Sequence, residues 1–183
     1  MTEMARRLLL LGASCLLLIT ACSEQVPVFH ADSAPQRLSD WGLFATSGGM
    51  LTPVADSLVY RPASTLFSDY AQKLRSLWIP AGQQAKVVNG DLQFPVGTVL
   101  SKTFYYPQGE HGSLQARPDQ QLQAISLSEN RILETRLLVR QTTGWQPLPY
   151  ISNDEQTEAY LRGAGGSAEL RLASQASHAS QEG

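Results

Sequence analysis

Two stretches of this chain change side-chain character with a period of two, and that alternation constrains the fold more than any other feature. From Thr98 to Tyr106, Val99, Ser101, Thr103 and Tyr105 fall on one side and Leu100, Lys102, Phe104 and Tyr106 on the other. From Arg131 to Arg140, Leu133, Thr135, Leu137 and Val139 oppose Glu134, Arg136, Leu138 and Arg140. Successive strand residues point to opposite faces, so both stretches predict β-strands. Asn89-Gly90 lies between Ala85–Val88 and Asp91–Phe94. Both central residues of a tight type I′ turn need positive φ, which Asn and Gly adopt readily, so a hairpin is expected there. Gln141-Thr142-Thr143-Gly144 turns the second alternating stretch back into Trp145 and Leu148. Short connections of this kind favour antiparallel pairing. The expected fold class is mainly β, an antiparallel sandwich or strongly curved sheet with one or two short helices.

Helical signals are sparse. Ser68-Asp69 is placed to cap a turn or short helix through Leu74, ahead of the extended Leu77–Pro80, and Asn153–Thr157 opens a second short helix or forms a turn. Pro107–Gln123, with Gly109, Gly112 and Pro118, reads as a long surface loop. From Gly163 onward Gly, Ala, Ser, Gln and Glu dominate. Such a segment buries too little apolar area to offset its ordering entropy, and disorder is expected for 163–183. The β-rich domain is expected over 38–162, behind a spacer at 22–37 that carries Pro27 and Pro35.

Residues 1–21 have the form of an export signal. Arg6 and Arg7 precede an apolar run of 13 residues, Leu8–Thr20, short of the roughly 20 needed to span a bilayer. The run closes on Leu18-Ile19-Thr20-Ala21-Cys22, which resembles the lipobox of bacterial lipoproteins. That resemblance implies cleavage before Cys22, acylation of Cys22, and anchorage in a lipid bilayer. The other reading is a plain signal peptide with Cys22 beside its cleavage site. Ser23 rather than Asp follows the cysteine, which by the bacterial sorting pattern implies the outer membrane, with the domain facing the periplasm. Two or three acyl chains anchor a protein stably where one does not, since each buried CH₂ contributes about 0.8 kcal/mol.

Removal of the leader changes the chemistry available. The chain has 2 Cys in 183 residues, Cys15 and Cys22. Cys15 leaves with the leader and Cys22 is taken by lipid, so the mature domain of 162 residues has no thiol for disulfides, catalysis or metal ligation. Glu3, Arg6 and Arg7 leave too, so that 12 basic residues face 15 acidic ones. A strongly basic nucleic-acid binder is excluded. The three His, at positions 30, 111 and 178, are expected in the spacer, a loop and the tail, where no rigid shell holds an imidazole on a metal. Nucleophile-elbow, dinucleotide-binding and Walker motifs are missing. Ser47-Gly48-Gly49 reads as a turn.

Five blocks of the mature chain, taken in order, carry a wider resemblance. They are Leu38–Phe44, Thr65–Arg75, Phe94–Tyr106, Leu133–Val139 with Trp145, and Leu148–Tyr150 with Asn153–Ala159. Together they resemble the haem-free N-terminal region of a family of exported bacterial diheme c-type cytochromes, often lipoproteins, over residues 38–161. In that family the region leads into a Cys-x-x-Cys-His segment, where two thioether bonds fix haem and the His ligates iron. Past Leu161 this sequence has no such motif, so no covalent haem, and no other cofactor, is expected on it. A stand-alone relative and a shortened copy both fit.

Asp69, Lys73, Arg75, Lys102 and Arg136 are the candidate ligand or partner contacts, with Glu134 beside them. The other reading makes them caps and surface ion pairs. Trp41, Trp78, Trp145, Tyr105 and Tyr106 are expected mostly in the core, with a carbohydrate platform or partner face as the alternative. The expected function is that of a membrane-anchored, non-catalytic β-rich module of a periplasmic electron-transfer system, contacting a c-type cytochrome or another periplasmic protein. The alternative is a periplasmic enzyme or electron-transfer component with a noncovalent or partner-supplied cofactor.

Overall fold

The computed structural model describes residues 26–64, 69–120, 122–163 and 172–173. The leader, Cys15, Cys22, Ser68 and His178 lie outside these. Thirteen strands are assigned: β1 (Phe44–Ser47), β2 (Met50–Pro53), β3 (Leu58–Val59), β4 (Gln72–Trp78), β5 (Lys86–Val88), β6 (Asp91–Gln93), β7 (Val99–Pro107), β8 (Leu114–Gln115), β9 (Ile125–Ser126), β10 (Asn130–Gln141), β11 (Gly144–Ser152), β12 (Ala159–Leu161) and β13 (Leu172–Ala173). The fold is mainly β, as expected. Six strands form an antiparallel sheet in the order β12-β11-β10-β7-β4-β3, and β1-β2-β9 form a smaller one. Helical structure among the described residues is limited to short 3-10 turns at Leu38–Trp41 and Glu110–Gly112.

The large sheet buries one face much more fully than the other. In β4, Gln72, Leu74, Ser76 and Trp78 are buried while the residues between them are not, and Val99, Ser101 and Thr103 of β7 continue the same face. One core cluster joins Trp78, Val99, Leu137, Val139, Leu148 and Tyr150 to Trp41 and Leu43, and a second joins Leu74, Tyr105 and Ile132 to Ile125 of the small sheet. The arrangement is sandwich-like, with β1-β2-β9 and the N-terminal segment as the cover. Four hydroxyl residues on the inner face are matched in pairs, whereas the Tyr105 hydroxyl is buried without a partner. Ser76 bonds Ser101 across 2.6 Å, and Thr103 bonds Thr135 across 2.9 Å.

Several local expectations are realised in detail. The β5–β6 hairpin turns at Asn89 and Gly90, with φ of 54° and 88°. Thr142-Thr143 close the β10–β11 hairpin between the paired Gln141 and Gly144. The segment Asn153–Thr157, open between helix and turn, is a turn, in which the Asn153 side-chain oxygen accepts from the Thr157 and Glu158 backbone N–H groups.

Others need correction. Of the turn or short helix expected through Leu74, the turn is found at Asp69–Tyr70, and the helix is replaced by a strand. Asp69 and Tyr70 take positive φ of 46° and 62° in a turn, and β4 begins at Gln72. A buried Gln72 and Ser76 disguise the period-two pattern there. Gln72 is accommodated because it donates to the Pro118 carbonyl and accepts from the Gln120 N–H. In β10, pairing with β7 shifts between Ile132 and Glu134. This bulge resets the alternation, so that Ile132 is buried and Leu133, expected inward, is only half-buried. The Gln156 side chain serves the interruption, accepting from the Ile132 N–H at 2.7 Å and donating to the Asn130 carbonyl.

The expected spacer is the largest correction. Residues 26–37 lie against the domain: Pro27 is buried, the Val28 N–H donates to the Trp41 carbonyl, and Phe29 and Ala34 pack on the first core cluster. A buried relay holds them, running from Trp41 Nε1 to the Tyr150 hydroxyl (2.7 Å) and from that hydroxyl to the Pro35 carbonyl (2.8 Å). Gly42 is fitted to the same contact: its φ is 65°, and a Cβ there would stand 2.7 Å from the Val26 carbonyl oxygen. At the other end, Leu172–Ala173, within the stretch expected to be disordered, pair in parallel with β8.

Candidate functional site

The less buried face of the large sheet gathers most of the candidate residues. Arg75 of β4 stands opposite Lys102 of β7, and Lys102 opposite Arg136 of β10. Lys73 lies one pleat along β4, paired with Phe104, which in turn pairs with Glu134. Four of the five candidate contacts therefore share a surface. Asp69 is not among them: it sits in the turn before β4, where its carbonyl accepts the Tyr106 hydroxyl at 2.7 Å.

Phe104 is the floor of this surface. The Lys102 ammonium lies 5.0 Å and the Arg136 guanidinium 4.9 Å from its ring centroid, both within cation–π range. Glu134 bridges Arg136 at 2.5 Å through one carboxylate oxygen, while its other oxygen is buried without a hydrogen-bond partner. Burial, then the positive charges of Arg136, Arg75 and Lys73, push the Lys102 ammonium below its ordinary value, against an opposing pull from Glu134. Lys73 is lowered too, by burial and Arg75, with Asp119 acting the other way. Four cations thus face two carboxylates, on a chain whose formal net charge is −2.

An apolar row runs alongside. Leu58, Leu77, Leu100, Leu138 and Pro147 are successive cross-strand partners from β3 to β11. The face is therefore a cationic row next to an aliphatic one. At its edge a recess of about 100 Å³ is lined by Tyr60, Arg61, Lys73, Arg75 and Asp119. This arrangement can attract and orient an anionic surface. Nucleophile–base pairing of the kind that drives acyl or phosphoryl transfer has no counterpart in it.

The remaining sequence candidates are dispersed. Trp41, Trp78, Tyr105 and Tyr106 are buried, and Trp145 is 39% exposed. His30, expected in a free spacer, is half-buried, edge-on to Trp41 at 5.0 Å with Nε2 3.1 Å from the Asp40 carbonyl. His111 is exposed in the Glu110–Gly112 turn, at φ 58°. No cluster of three or more His, Cys, Asp and Glu suited to a metal occurs among the described residues.

Sequence reasoning named the cations and missed their register. The readable signal was Lys73-x-Arg75-x-Leu77, which places two cations and an aliphatic residue on one face once Gln72–Trp78 is taken as a strand. Phe104 was placed on the face of Lys102, but its position under two cations depends on the β7–β10 pairing. No family model matches the chain, and comparison with curated proteins and with solved structures finds no significant match.

Proposed function

We propose that this chain is a bacterial lipoprotein, anchored through acylated Cys22 in the outer membrane and facing the periplasm, whose β domain is a non-catalytic docking module. Its partner is an acidic protein, and the resemblance in the five sequence blocks names the class as c-type cytochromes of a periplasmic electron-transfer system. The observation that carries this reading is the row Arg75–Lys102–Arg136. Like charges directly opposite on neighbouring strands destabilise a sheet. Glu134 and the Phe104 ring offset part of that repulsion, and an incoming carboxylate surface relieves more of it. Such complementarity governs encounter rate and partner choice more than affinity. The adjacent Leu77–Leu100–Leu138 row supplies the apolar contact that holds a docked partner.

The test is a photo-crosslinking residue at position 138, introduced into the full-length protein in its own cells. The expected result is an adduct that stains for haem and disappears in the Lys102→Glu/Arg136→Glu background while the protein stays at normal abundance. Adducts that carry no haem, or that persist unchanged in the charge-reversed background, would overturn the reading.

A further inference from the structure

The packed N-terminal segment fixes where a lipid on Cys22 must emerge. Phe29 sits against Gly97, its ring 3.4 Å from the place a Cβ would occupy there, with Pro80 on the other side of the same point. The His30 carbonyl is held close by, accepting from the Gln141 side chain at 3.1 Å. Pro80 and Gly97 are also the two feet of the β5–β6 hairpin. Phe29 of the anchor-bearing segment and the base of the hairpin therefore meet at one end of the large sheet, and the segment runs back from there to Val26 beside Gly42.

The hairpin has the surface of an inserting element. Every residue from Lys86 to Gln93 is exposed. Val87 and Leu92, cross-strand partners, are 72% and 56% exposed. Trp145, at the same end, lies edge-on to Phe94 with centroids 5.8 Å apart, and the Arg140 guanidinium stands over its ring. Exposed aliphatic residues beside Trp and basic side chains are the composition found where a protein meets the headgroup region of a bilayer.

Chain length selects the bilayer as the occupant. Four residue steps lead from Cys22 to Val26, whose backbone lies against Gly42, a reach of about 14 Å at full extension. Cys22 is seven residues from Phe29, and the Asn89-Gly90 turn begins eight residues before Gly97, so each reaches at most about 30 Å from the shared contact. We infer that the β5–β6 hairpin is a second membrane contact: with Cys22 acylated, Val87 and Leu92 enter the lipid interface and hold the domain against the bilayer in one orientation. The cationic row Arg75–Lys102–Arg136 lies further from this end than the Leu77–Leu100–Leu138 row, and it is left open to the periplasm. This inference rests on the lipoprotein reading above.

The experiment uses full-length protein purified from membranes, with Val87→Cys or Leu92→Cys carrying a polarity-sensitive fluorophore and Asp154→Cys, whose side chain is 96% exposed, as the control. Each is reconstituted in phosphatidylethanolamine–phosphatidylglycerol vesicles containing spin-labelled lipid, and intact mass of the same sample reports acylation of Cys22. Blue-shifted emission and several-fold stronger quenching at 87 and 92 than at 154 is the expected result. Acylated Cys22 with equal quenching at all three positions overturns the membrane contact alone. An unmodified Cys22 overturns the lipoprotein reading and the membrane contact with it.

Discussion

Lys102 has cations on both sides and a phenyl ring beneath, and its own charge costs the fold stability. Replacing it with Met keeps an apolar stem over Phe104 and removes the repulsion from Arg75 and Arg136. The expected gain is about 0.2–1 kcal/mol in urea unfolding near neutral pH. The sign of its pH dependence follows from linkage. Lys102 titrates below 10.5 when folded, so the protonated form favours the unfolded chain; the penalty is present at lower pH and is relieved as pH rises from the folded value toward 10.5. The advantage of Lys102→Met over the parent should therefore narrow across that window. An advantage that stays constant, or a variant less stable than the parent, would contradict the repulsive row. Tyr105 acts in the opposite sense: burial pushes its hydroxyl up to about 12, so its stabilising contribution is present below pH 10 and is lost as pH climbs through 12. Comparing parent with variant at each pH separates the two residues.

At the scale of elements, legibility depended on whether the inner face was apolar. The alternation of β7 was readable because aromatic and β-branched residues fill it, and the two tight turns were readable because Asn-Gly and Thr-Thr-Gly carry their own backbone preferences. β4 was hidden because Gln72 and Ser76 occupy inward positions, and their suitability depends on Pro118, Gln120 and Ser101, which are distant in sequence. The bulge at Leu133 was hidden for a similar reason, since Gln156 supplies the hydrogen bond that the β7 ladder does not. Residues 26–37 carried the composition of a spacer, yet Phe29, Pro27 and the Pro35 carbonyl each find a place on the domain. Tyr150→Phe tests that attachment. It strands the Trp41 N–H and frees Pro35, with an expected loss of about 1–3 kcal/mol. Amide exchange should quicken at Val28, which donates to Trp41, before the central strands open. Unchanged exchange at Val28 would show that the relay does not fasten the segment.

For the molecule as a whole, the two ends of the account meet at one residue. In the proposed account the cationic face binds the partner and the hairpin sets how that face is presented at the membrane, which depends on a lipid at Cys22. With Cys22 acylated as proposed, Cys22–Gln25 allow about 14 Å of reach, less than the span of the six-stranded sheet. The candidate contacts were nameable from sequence as charged residues, whereas their alignment into one row required the strand register, which no local signal encodes. That residues 23–183 hold no cysteine was legible from sequence alone, and it makes the proposed lipid on Cys22 easy to read. Intact-mass analysis of the protein extracted from membranes is the most direct measurement. The account predicts a chain beginning at Cys22 and heavier than its sequence by a diacylglyceryl group, with a further acyl chain on the amino group where that step has occurred. A mature chain beginning elsewhere, or an unmodified Cys22, would contradict it.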